Sequence, residues 1–349
     1  MTSEAEVKPP TLSLQAKWQP PKEPLKPTGA LDRFFKQSRE QLTPAIGDQY
    51  ASDEVQLSNI LKAPNADEIL RDLAIVISRR NVVFFKNQNL TPAEQNYLVN
   101  RLGQLSGKPA TSGLHIDPNT PEHSQYGDNI YEVTRRRNDY SQGTTAPLKI
   151  SRSSQSWHTD ISYEQIPSDY AAMKVVLLPE NGVGGDTVFA SGYYAYEKLS
   201  PRFRKLVDGL QAPHDGYRMK QNATNRFRTE RGAPENNNNM DIVAVHPIIR
   251  TNPVTGWKSI YLNKQTPYIE GVTQEESDAI LEIINRAYID NHDIQVRYKW
   301  GENDIALWDN RCSVHTATVD YTSDRFALRT LSLGERPYFD PNSKSISEE

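Results

Sequence analysis

The sequence contains almost no cysteine and no long apolar run. Cys312 is the single cysteine among 349 residues, which excludes an internal disulfide framework and favours a reducing compartment. No stretch approaches the roughly 18 apolar residues of a membrane-spanning helix, and the start MTSEAEVKPP lacks the apolar core of a signal peptide. We therefore expect a cytoplasmic protein with no membrane partner.

The chain also lacks a strong charge of either sign. Its formal net charge is −4 and its pI is near 6.0, so nothing in the composition points to nucleic acid as a partner. No repeat of about 20–50 residues is visible, which argues against a solenoid or a propeller. The expected partner is a small-molecule substrate, and a homo-oligomer stays open.

The first 30 residues differ in composition from the rest of the chain. They contain few large apolar side chains and six prolines, namely Pro9, Pro10, Pro20, Pro21, Pro24 and Pro27. Such a segment buries too little apolar surface to offset its conformational entropy. We predict a flexible Pro-rich arm over residues 1–30 and a single jelly-roll domain over residues 31–349.

Strand patterns dominate the second half of the chain, and helices are placed between them. The apolar run 80–85 predicts a buried strand, and Thr91-Pro92-Ala93-Glu94 is a capping box that opens a helix. A second box at 273–276 opens another helix, and a turn-rich stretch at 252–256 is typical of a hairpin. The strands of that hairpin are predicted at 242–245 and 259–262.

Further strands are predicted at 187–189, 294–300 and 305–308. The overall pattern favours a mainly β fold with flanking helices, a double-sheet jelly roll of the cupin-like kind.

Two short motifs pair a histidine with an aspartate. His158-Thr159-Asp160 and His115-Ile116-Asp117 have the same spacing, and a motif this short also arises by chance. On a strand, residues two apart point to the same face, so either pair could supply two metal ligands. At this level a metal site and a coincidence both stay open.

A third ligand would come from elsewhere in the chain. His315 is the strongest candidate, because it follows the predicted strand that contains Trp308 by a few residues. Two histidines and one carboxylate on one face of an iron leave three open positions, which an oxygen-activating Fe(II) enzyme needs. We assign ordinary structural roles to the remaining histidines, which are His123, His214, His246 and His292. The run 135–137 is most simply a solvated basic face.

Several motifs in order resemble the taurine/2,4-D dioxygenase family. They are Trp157-His158-Thr159-Asp160, Gly184-Gly185-Asp186-Thr187, Ala306-Leu307-Trp308-Asp309-Asn310-Arg311, His315 and Arg325. The resemblance covers roughly residues 70–338. It implies a double-stranded β-helix, with Fe(II) as metal, 2-oxoglutarate as cosubstrate and O₂ as oxidant. It also implies succinate and CO₂ as products and a ferryl species that abstracts a hydrogen atom from the substrate.

The resemblance carries over to individual residues. It implies three iron ligands, which are His158, Asp160 and His315. Arg325 and Thr187 fall where the family binds 2-oxoglutarate, and a planar guanidinium suits the distal carboxylate. Arg329 matches an arginine that binds the substrate's anionic group in the taurine-using members.

Three positions depart from the taurine-using pattern. Asp117 replaces a histidine that helps to bind the sulfonate, Thr120 replaces a pocket tyrosine, and Ser154 replaces an asparagine. A carboxylate repels a sulfonate, whereas Arg329 with Asp117 suits a molecule that carries both a carboxylate and an ammonium group. We therefore expect a small anionic or zwitterionic substrate, with a preference for an amino-acid-like compound. The alternative is a purely structural role for Asp117, as a turn carboxylate before Pro118.

Three other functions stay open. An alkylsulfonate or taurine-type dioxygenase would keep the same residues for iron and 2-oxoglutarate and differ only in the residues of its substrate pocket. A zinc hydrolase could use the same three ligands with a metal-bound water, although it would have no use for Thr187 and Arg325. An inactive, ligand-binding relative is, like the zinc hydrolase, a more distant alternative, because all three ligands are present.

Overall fold

The computed structural model describes residues 18–36, 39–135, 153–216, 228–264 and 266–349. Residues 1–17 of the predicted arm and Arg136-Arg137 of the basic run lie outside this part of the chain. The strands are β1 (Glu40–Gln41), β2 (Asp48–Tyr50), β3 (Val82–Phe85), β4 (Tyr131–Arg135), β5 (Ser168–Leu177), β6 (Thr187–Ser191), β7 (Gln211–Asp215), β8 (Val243–Pro247), β9 (Ile249–Thr251), β10 (Lys258–Ile260), β11 (Gln295–Tyr298), β12 (Ile305–Asp309), β13 (Ser313–Ala317) and β14 (Arg325–Leu333). The helices are α1 (Ala30–Phe34), α2 (Leu57–Leu61), α3 (Ala66–Arg80), α4 (Pro92–Leu105), α5 (Gly192–Glu197), α6 (Pro201–Val207), α7 (Pro234–Asn237) and α8 (Gln274–Ile289).

Two sheets pack face to face. The major sheet has seven strands in the order β1-β2-β3-β12-β5-β14-β4, and the minor sheet has three in the order β11-β6-β13. Phe84 on β3 contacts Phe189 on β6 across the interface, with ring centroids 5.8 Å apart. Side chains from the two inner faces therefore form one core, as in a jelly roll. The predicted fold class, mainly β with flanking helices, is confirmed.

The central strands of the major sheet are buried on both faces. Val82 and Phe84 belong to the core between the sheets, whereas Val83 and Phe85 belong to a second core under α3 and α4. Side chains alternate along a strand, so a sheet covered on both faces needs an unbroken apolar run. This explains the sequence VVFF. Because the helices cover the outer face, the space between the sheets is where a site can form.

The two predicted capping boxes are confirmed. Thr91 and Glu94 cap α4 reciprocally, and Thr273 and Glu276 do the same for α8. Each side chain satisfies a backbone N–H that the helix leaves unpaired. The start of both helices is therefore encoded locally.

The predicted hairpin around residues 252–256 is partly wrong. The turn is present, but β10 pairs with β9. The segment 242–245 falls in β8, which pairs with β7 instead. The reason is that Ile249–Thr251, the segment next to the turn, provides its own pairing strand.

Residues 18–30 of the predicted arm contact the body of the protein. Trp18 Nε1 donates to Gly107 O at 2.9 Å, and the backbone N–H of Thr28 donates to Asp72 Oδ1 at 2.8 Å. The boundary at residue 30 stays a prediction. No helix in the described part of the chain is both long and apolar enough to cross a membrane.

Two histidines with predicted structural roles form a buried pair. The rings of His214 on β7 and His246 on β8 have centroids 5.2 Å apart. His214 Nδ1 lies 2.8 Å from Ser162 Oγ, and His246 Nε2 donates to Ser162 O at 2.9 Å. Burial, followed by the charge of Arg250, lowers the pKa of His214 to about 3, and burial also lowers the pKa of His246. Both imidazoles are therefore neutral in the folded protein at neutral pH.

This pair predicts a loss of stability in mild acid. Below about pH 6.5 the unfolded chain binds protons that the folded pair does not accept, so the free energy of unfolding should fall as pH falls toward about 3. Each histidine contributes a slope of up to about 1.4 kcal/mol per pH unit. Urea unfolding with EDTA at several pH values should show a shallower slope for His214→Gln than for the native protein. The exposed His292→Gln variant is the matched control, and an unchanged slope in His214→Gln would contradict this prediction.

Candidate metal centre and active site

A backbone bridge brings two of the predicted ligands together. His158 N donates to His315 O at 3.0 Å, and His315 N donates to His158 O at 2.8 Å. The two residues are thus directly opposite each other in an isolated antiparallel bridge, with His315 in the middle of β13. Side chains of opposite residues share a face, and the ring centroids are only 4.3 Å apart.

The carboxylate of Asp160 completes the group. Asp160 Oδ1 lies 3.7 Å from His158 Nε2 and 3.9 Å from His315 Nε2. One ligand atom from each residue lies within 4.8 Å of the other two. Only His158 of the His158–Asp160 pair has a strand-like pairing, because a turn begins at Asp160 and Ile161 has a φ of 47°.

The protonation states suit a divalent metal. His158 Nδ1 donates to Ser156 O at 2.7 Å, so its Nε2, on the side of Asp160, is the ring nitrogen that faces the other two candidate ligands. Burial lowers the pKa of His315 to about 3, so its imidazole is neutral. Burial opposes ionisation of Asp160, but the neighbouring groups, Arg329 first among them, outweigh it and lower the pKa of this carboxyl. Two imidazoles and one carboxylate form the donor set that a non-haem Fe(II) site requires.

Asn310 positions the ligand segment, a role that the sequence interpretation missed. Its Oδ1 accepts hydrogen bonds from Asp160 N at 3.2 Å and Trp308 Nε1 at 2.9 Å. Its backbone carbonyl accepts one from Thr159 Oγ1 at 2.7 Å, and its Nδ2 donates to Ser168 Oγ at 3.0 Å. The available signal was an amide inside the Trp308–Arg311 string, but its partner could not be identified from the sequence.

Arg325 presents a buried guanidinium with two unpaired nitrogens at the start of β14. The residue is 6% exposed, and its Nε and Nη2 have no hydrogen-bond partner within the part of the chain that the structure describes. Burial lowers the pKa of this guanidinium. Gly185, with a φ of +71°, packs on it so closely that a Cβ there would lie 2.9 Å from Arg325 Cδ. A buried guanidinium with two free donors fits a carboxylate.

Thr187 lies on the inner face of the minor sheet. It is on β6, two residues from Phe189, which pairs directly with His315. Thr187 Oγ1 accepts a hydrogen bond from Trp300 Nε1 at 3.0 Å, which leaves its own hydroxyl proton available to an acceptor. Trp300 itself is buried in the core between the sheets.

Arg329 contacts the metal-ligand group directly. Its Nη1 donates to Asp160 Oδ1 at 2.6 Å, and its Cζ lies 5.0 Å from the centroid of the Tyr131 ring. Its Nε is buried and has no partner among the described residues. One nitrogen of the Arg329 guanidinium thus pairs with Asp160, and its Nε remains available to another acceptor.

The second His-x-Asp pair does not join the three ligands. His115 Nε2 lies 3.2 Å from Glu164 Oε1, which also accepts a hydrogen bond from Arg231 Nε at 2.7 Å. Asp117 Oδ1 accepts a hydrogen bond from the backbone N–H of Asn119 at 2.9 Å, which is the contact expected if Asp117 has a structural role in a turn.

The turn hydrogen bond uses only one of the two carboxylate oxygens of Asp117. Its Oδ2 is buried without a partner among the described residues. Ser154 lies in a single 3-10 turn beside β13, where Thr316 Oγ1 donates to Ser153 O at 2.6 Å. The predicted substrate residues thus differ in their surroundings: Asp117 has an unsatisfied atom, and Ser154 is half-buried beside the histidine strand.

Known proteins share both the sequence and the fold. Residues 38–331 match the family described as taurine catabolism dioxygenase TauD, TfdA family. The chain is 41% identical over 341 residues to the alpha-ketoglutarate-dependent dioxygenase btcD of Neocamarosporium betae, covering 94% of this chain and 98% of the relative. It is 30% identical over 304 residues to an alpha-ketoglutarate-dependent sulfonate dioxygenase of Saccharomyces cerevisiae, covering 86% of this chain and 68% of the relative.

A solved structure has the same architecture. A taurine dioxygenase from Burkholderia xenovorans superposes with a TM-score of 0.62 at 25% identity, covering 88% of this chain and 92% of that one. The resemblance inferred from the motifs and the predicted jelly roll are both confirmed. Alpha-ketoglutarate is 2-oxoglutarate, so the cosubstrate expected from the motifs agrees with the relatives. The chain belongs to the TauD/TfdA family and is an Fe(II)- and 2-oxoglutarate-dependent dioxygenase.

Proposed function

We propose that His158, Asp160 and His315 bind Fe(II) and that the neighbouring space accepts a small anionic or zwitterionic molecule for oxidation. The observation that carries this proposal is the convergence of three ligand atoms within 4.8 Å of one another. A buried arginine with free donors, Arg325, lies on the facing sheet. Both features serve a reaction that consumes 2-oxoglutarate and releases succinate and CO₂.

Arg325 and Thr187 would bind the cosubstrate. Iron, O₂ and 2-oxoglutarate supply the oxidising chemistry once they are bound. The guanidinium of Arg325 would form paired hydrogen bonds to the distal carboxylate, and the free hydroxyl proton of Thr187 would donate to the same group. The buried surroundings of Arg325 exclude water, which strengthens each of these contacts.

Arg329, Asp117 and Ser154 would contact the substrate. Arg329 Nε supplies a donor for an anionic group, while Asp117 Oδ2 supplies an acceptor for an ammonium group. Ser154, next to β13, would line the pocket on the side of His315. This arrangement favours an amino-acid-like compound.

The second candidate substrate is an alkyl sulfonate. It is supported by the 30% identical yeast relative, whose name specifies a sulfonate. The Asp117 carboxylate argues against a simple alkyl sulfonate, because two anionic groups in a buried pocket repel each other. A zinc hydrolase remains the poorer explanation, since it would leave Arg325 without a function.

The wider context is also part of the proposal. We infer a cytoplasmic location, which the single, buried and unpaired Cys312 supports. Residues 31–349 would act as one catalytic domain, with no nucleic-acid or membrane partner. A homo-oligomer is compatible with this assignment.

The metal assignment predicts the effect of removing each ligand. His158→Ala, Asp160→Ala and His315→Ala should each weaken Fe(II) or Co(II) binding by more than roughly 100-fold, the upper range for loss of an outer-shell partner. Metal binding is measured by anaerobic titration, with circular dichroism as the test of folding. His115→Gln alters the other His-x-Asp pair and is the matched control, which should still bind the metal. Native-like metal affinity in any of the three alanine variants would remove that residue from the site.

The cosubstrate assignment predicts the effect of replacing Arg325. Loss of a charge-assisted contact costs about 1.5–3 kcal/mol, so Arg325→Ala should weaken 2-oxoglutarate binding by roughly 10- to 150-fold. Arg325→Lys should recover part of this loss, because it keeps the charge without the paired donors. Binding is measured on the Fe(II)-loaded protein without O₂, with the exposed Arg336→Ala as control. Unchanged affinity in Arg325→Ala would place the 2-oxoglutarate carboxylate elsewhere.

The class of reaction predicts a defined product balance. With Fe(II), O₂ and a panel of small amino acids and alkyl sulfonates, the protein should release succinate in proportion to the substrate oxidised. Omission of 2-oxoglutarate, or replacement of Fe(II) by Zn(II), should abolish product formation. Substrate conversion that persists with Zn(II) and without 2-oxoglutarate would instead identify a hydrolase.

A further inference from the structure

We propose that Asp117 and Tyr163 form a subsite for a protonated amine of the substrate. The two atoms concerned are Asp117 Oδ2 and Tyr163 Oη, and together they are called the ammonium subsite below. The inference rests on the proposed function and deepens it, because it names a specificity-determining residue, Tyr163, and a substrate class, small amines that carry an acid group.

The first observation is the unsatisfied oxygen of Asp117. The residue is 4% exposed, and Oδ1 already accepts the backbone N–H of Asn119 at 2.9 Å. Oδ2 is buried and accepts no hydrogen bond from any described residue. A buried carboxylate oxygen without a donor costs several kcal/mol in general, so it marks a place where a ligand supplies the donor.

The second observation is the hydroxyl of Tyr163. It is also buried and has no partner among the described residues, and the residue follows the iron ligand Asp160 by three positions. Gly216 packs against the ring so closely that a Cβ there would lie 2.7 Å from Tyr163 Cγ, which restricts the ring's position. Burial raises the pKa of Tyr163 well above its usual value, and among neighbouring charges Asp117 contributes most. The hydroxyl is therefore neutral. The contact of His115 Nε2 with Glu164 Oε1 at 3.2 Å holds the segments of Asp117 and Tyr163 against each other, and neither Asp117 Oδ2 nor Tyr163 Oη has a hydrogen-bond partner among the described residues.

The third observation is the charge balance of the pocket. Asp160 is matched by Arg329 at 2.6 Å, and Glu164 is matched by Arg231 at 2.7 Å. Asp117 has no ion pair of this kind among the described residues, and Arg329, whose pKa its charge helps to raise, donates its hydrogen bond to Asp160 instead. A hydroxyl group of a ligand would satisfy the hydrogen bonds but bring no positive charge to the carboxylate. An ammonium group does both, since it donates to Asp117 Oδ2 and to a lone pair of Tyr163 Oη.

The other end of the ligand follows from Arg329. Its Nε is a buried donor without a partner in the described chain, and Tyr131 covers its guanidinium at 5.0 Å. A carboxylate or a sulfonate fits this donor. The preferred ligand is thus a small zwitterion, with its acid group at Arg329 and its amine at the ammonium subsite.

The experiment compares matched pairs of ligands that differ only in the amine. The pairs are norvaline with pentanoate and taurine with ethanesulfonate, titrated anaerobically against the Fe(II)- and 2-oxoglutarate-loaded protein. Native protein should bind at least one zwitterion roughly 30-fold or more tightly than its partner, the range expected when one side of a desolvated charged contact is lost. Asp117→Asn should abolish this preference, and Tyr163→Phe should reduce it by roughly tenfold. Tyr97→Phe, at an exposed tyrosine, is the matched control and should keep it.

The outcomes separate this inference from the proposed function. If every pair binds equally, if neither member of any pair binds, or if Asp117→Asn and Tyr163→Phe keep the native preference, the ammonium subsite is wrong. A preference lost in Asp117→Asn but unchanged in Tyr163→Phe overturns the role of Tyr163. Binding of 2-oxoglutarate to the metal-loaded protein is measured in the same titration before any amine is added. If that binding is absent, the proposed function fails first, whatever the amines do.

Discussion

Two backbone hydrogen bonds between His158 and His315 determine how the side chains of the candidate metal site are placed. They fasten the segment before β5 to the middle of β13, and they set two imidazoles side by side. Asp160 follows two residues later, so its position depends on the same bridge. Arg329 depends in turn on Asp160, because it donates a hydrogen bond to that carboxylate. A single backbone pairing thus determines where the three proposed metal ligands and Arg329 lie.

Strand β14 supplies the second constraint. Arg325, Ala327 and Arg329 alternate onto the inner face of the major sheet, where Ala327 belongs to the core between the sheets. Four residues of strand span about 13 Å, so the two guanidiniums can serve different anions at the same time. The opposite face of β14 packs on α4, where Gln95 Nε2 donates to Leu328 O and Thr330 Oγ1. The helix layer therefore fixes the strand from which both arginines project.

The features that the sequence predicts correctly are those encoded within a few residues. The capping boxes and the buried run VVFF both fall in this group. The pairing of segment 242–245 with segment 259–262 was predicted wrongly, because alternation identifies strands without identifying their partners.

Long-range contacts other than the clustering of His315 with His158 and Asp160 could not be predicted. The Asn310 hydrogen bonds and the pairing of Glu164 with Arg231 join segments whose proximity depends on the finished fold. The same limit applies to Asp117, whose turn role is local and visible but whose second oxygen depends on distant neighbours. Buried polar groups were the least accessible to sequence reasoning, since composition does not reveal which of them have partners.

The location of the residues on the fold has an evolutionary consequence. His315, Thr187 and Arg325 lie on paired strands, so their positions are fixed by the two sheets. Asp117 and Tyr163 lie on connecting segments, where replacement need not alter strand pairing. The two residues proposed to select the substrate can therefore be exchanged during evolution without moving the strands that position His315, Thr187 and Arg325.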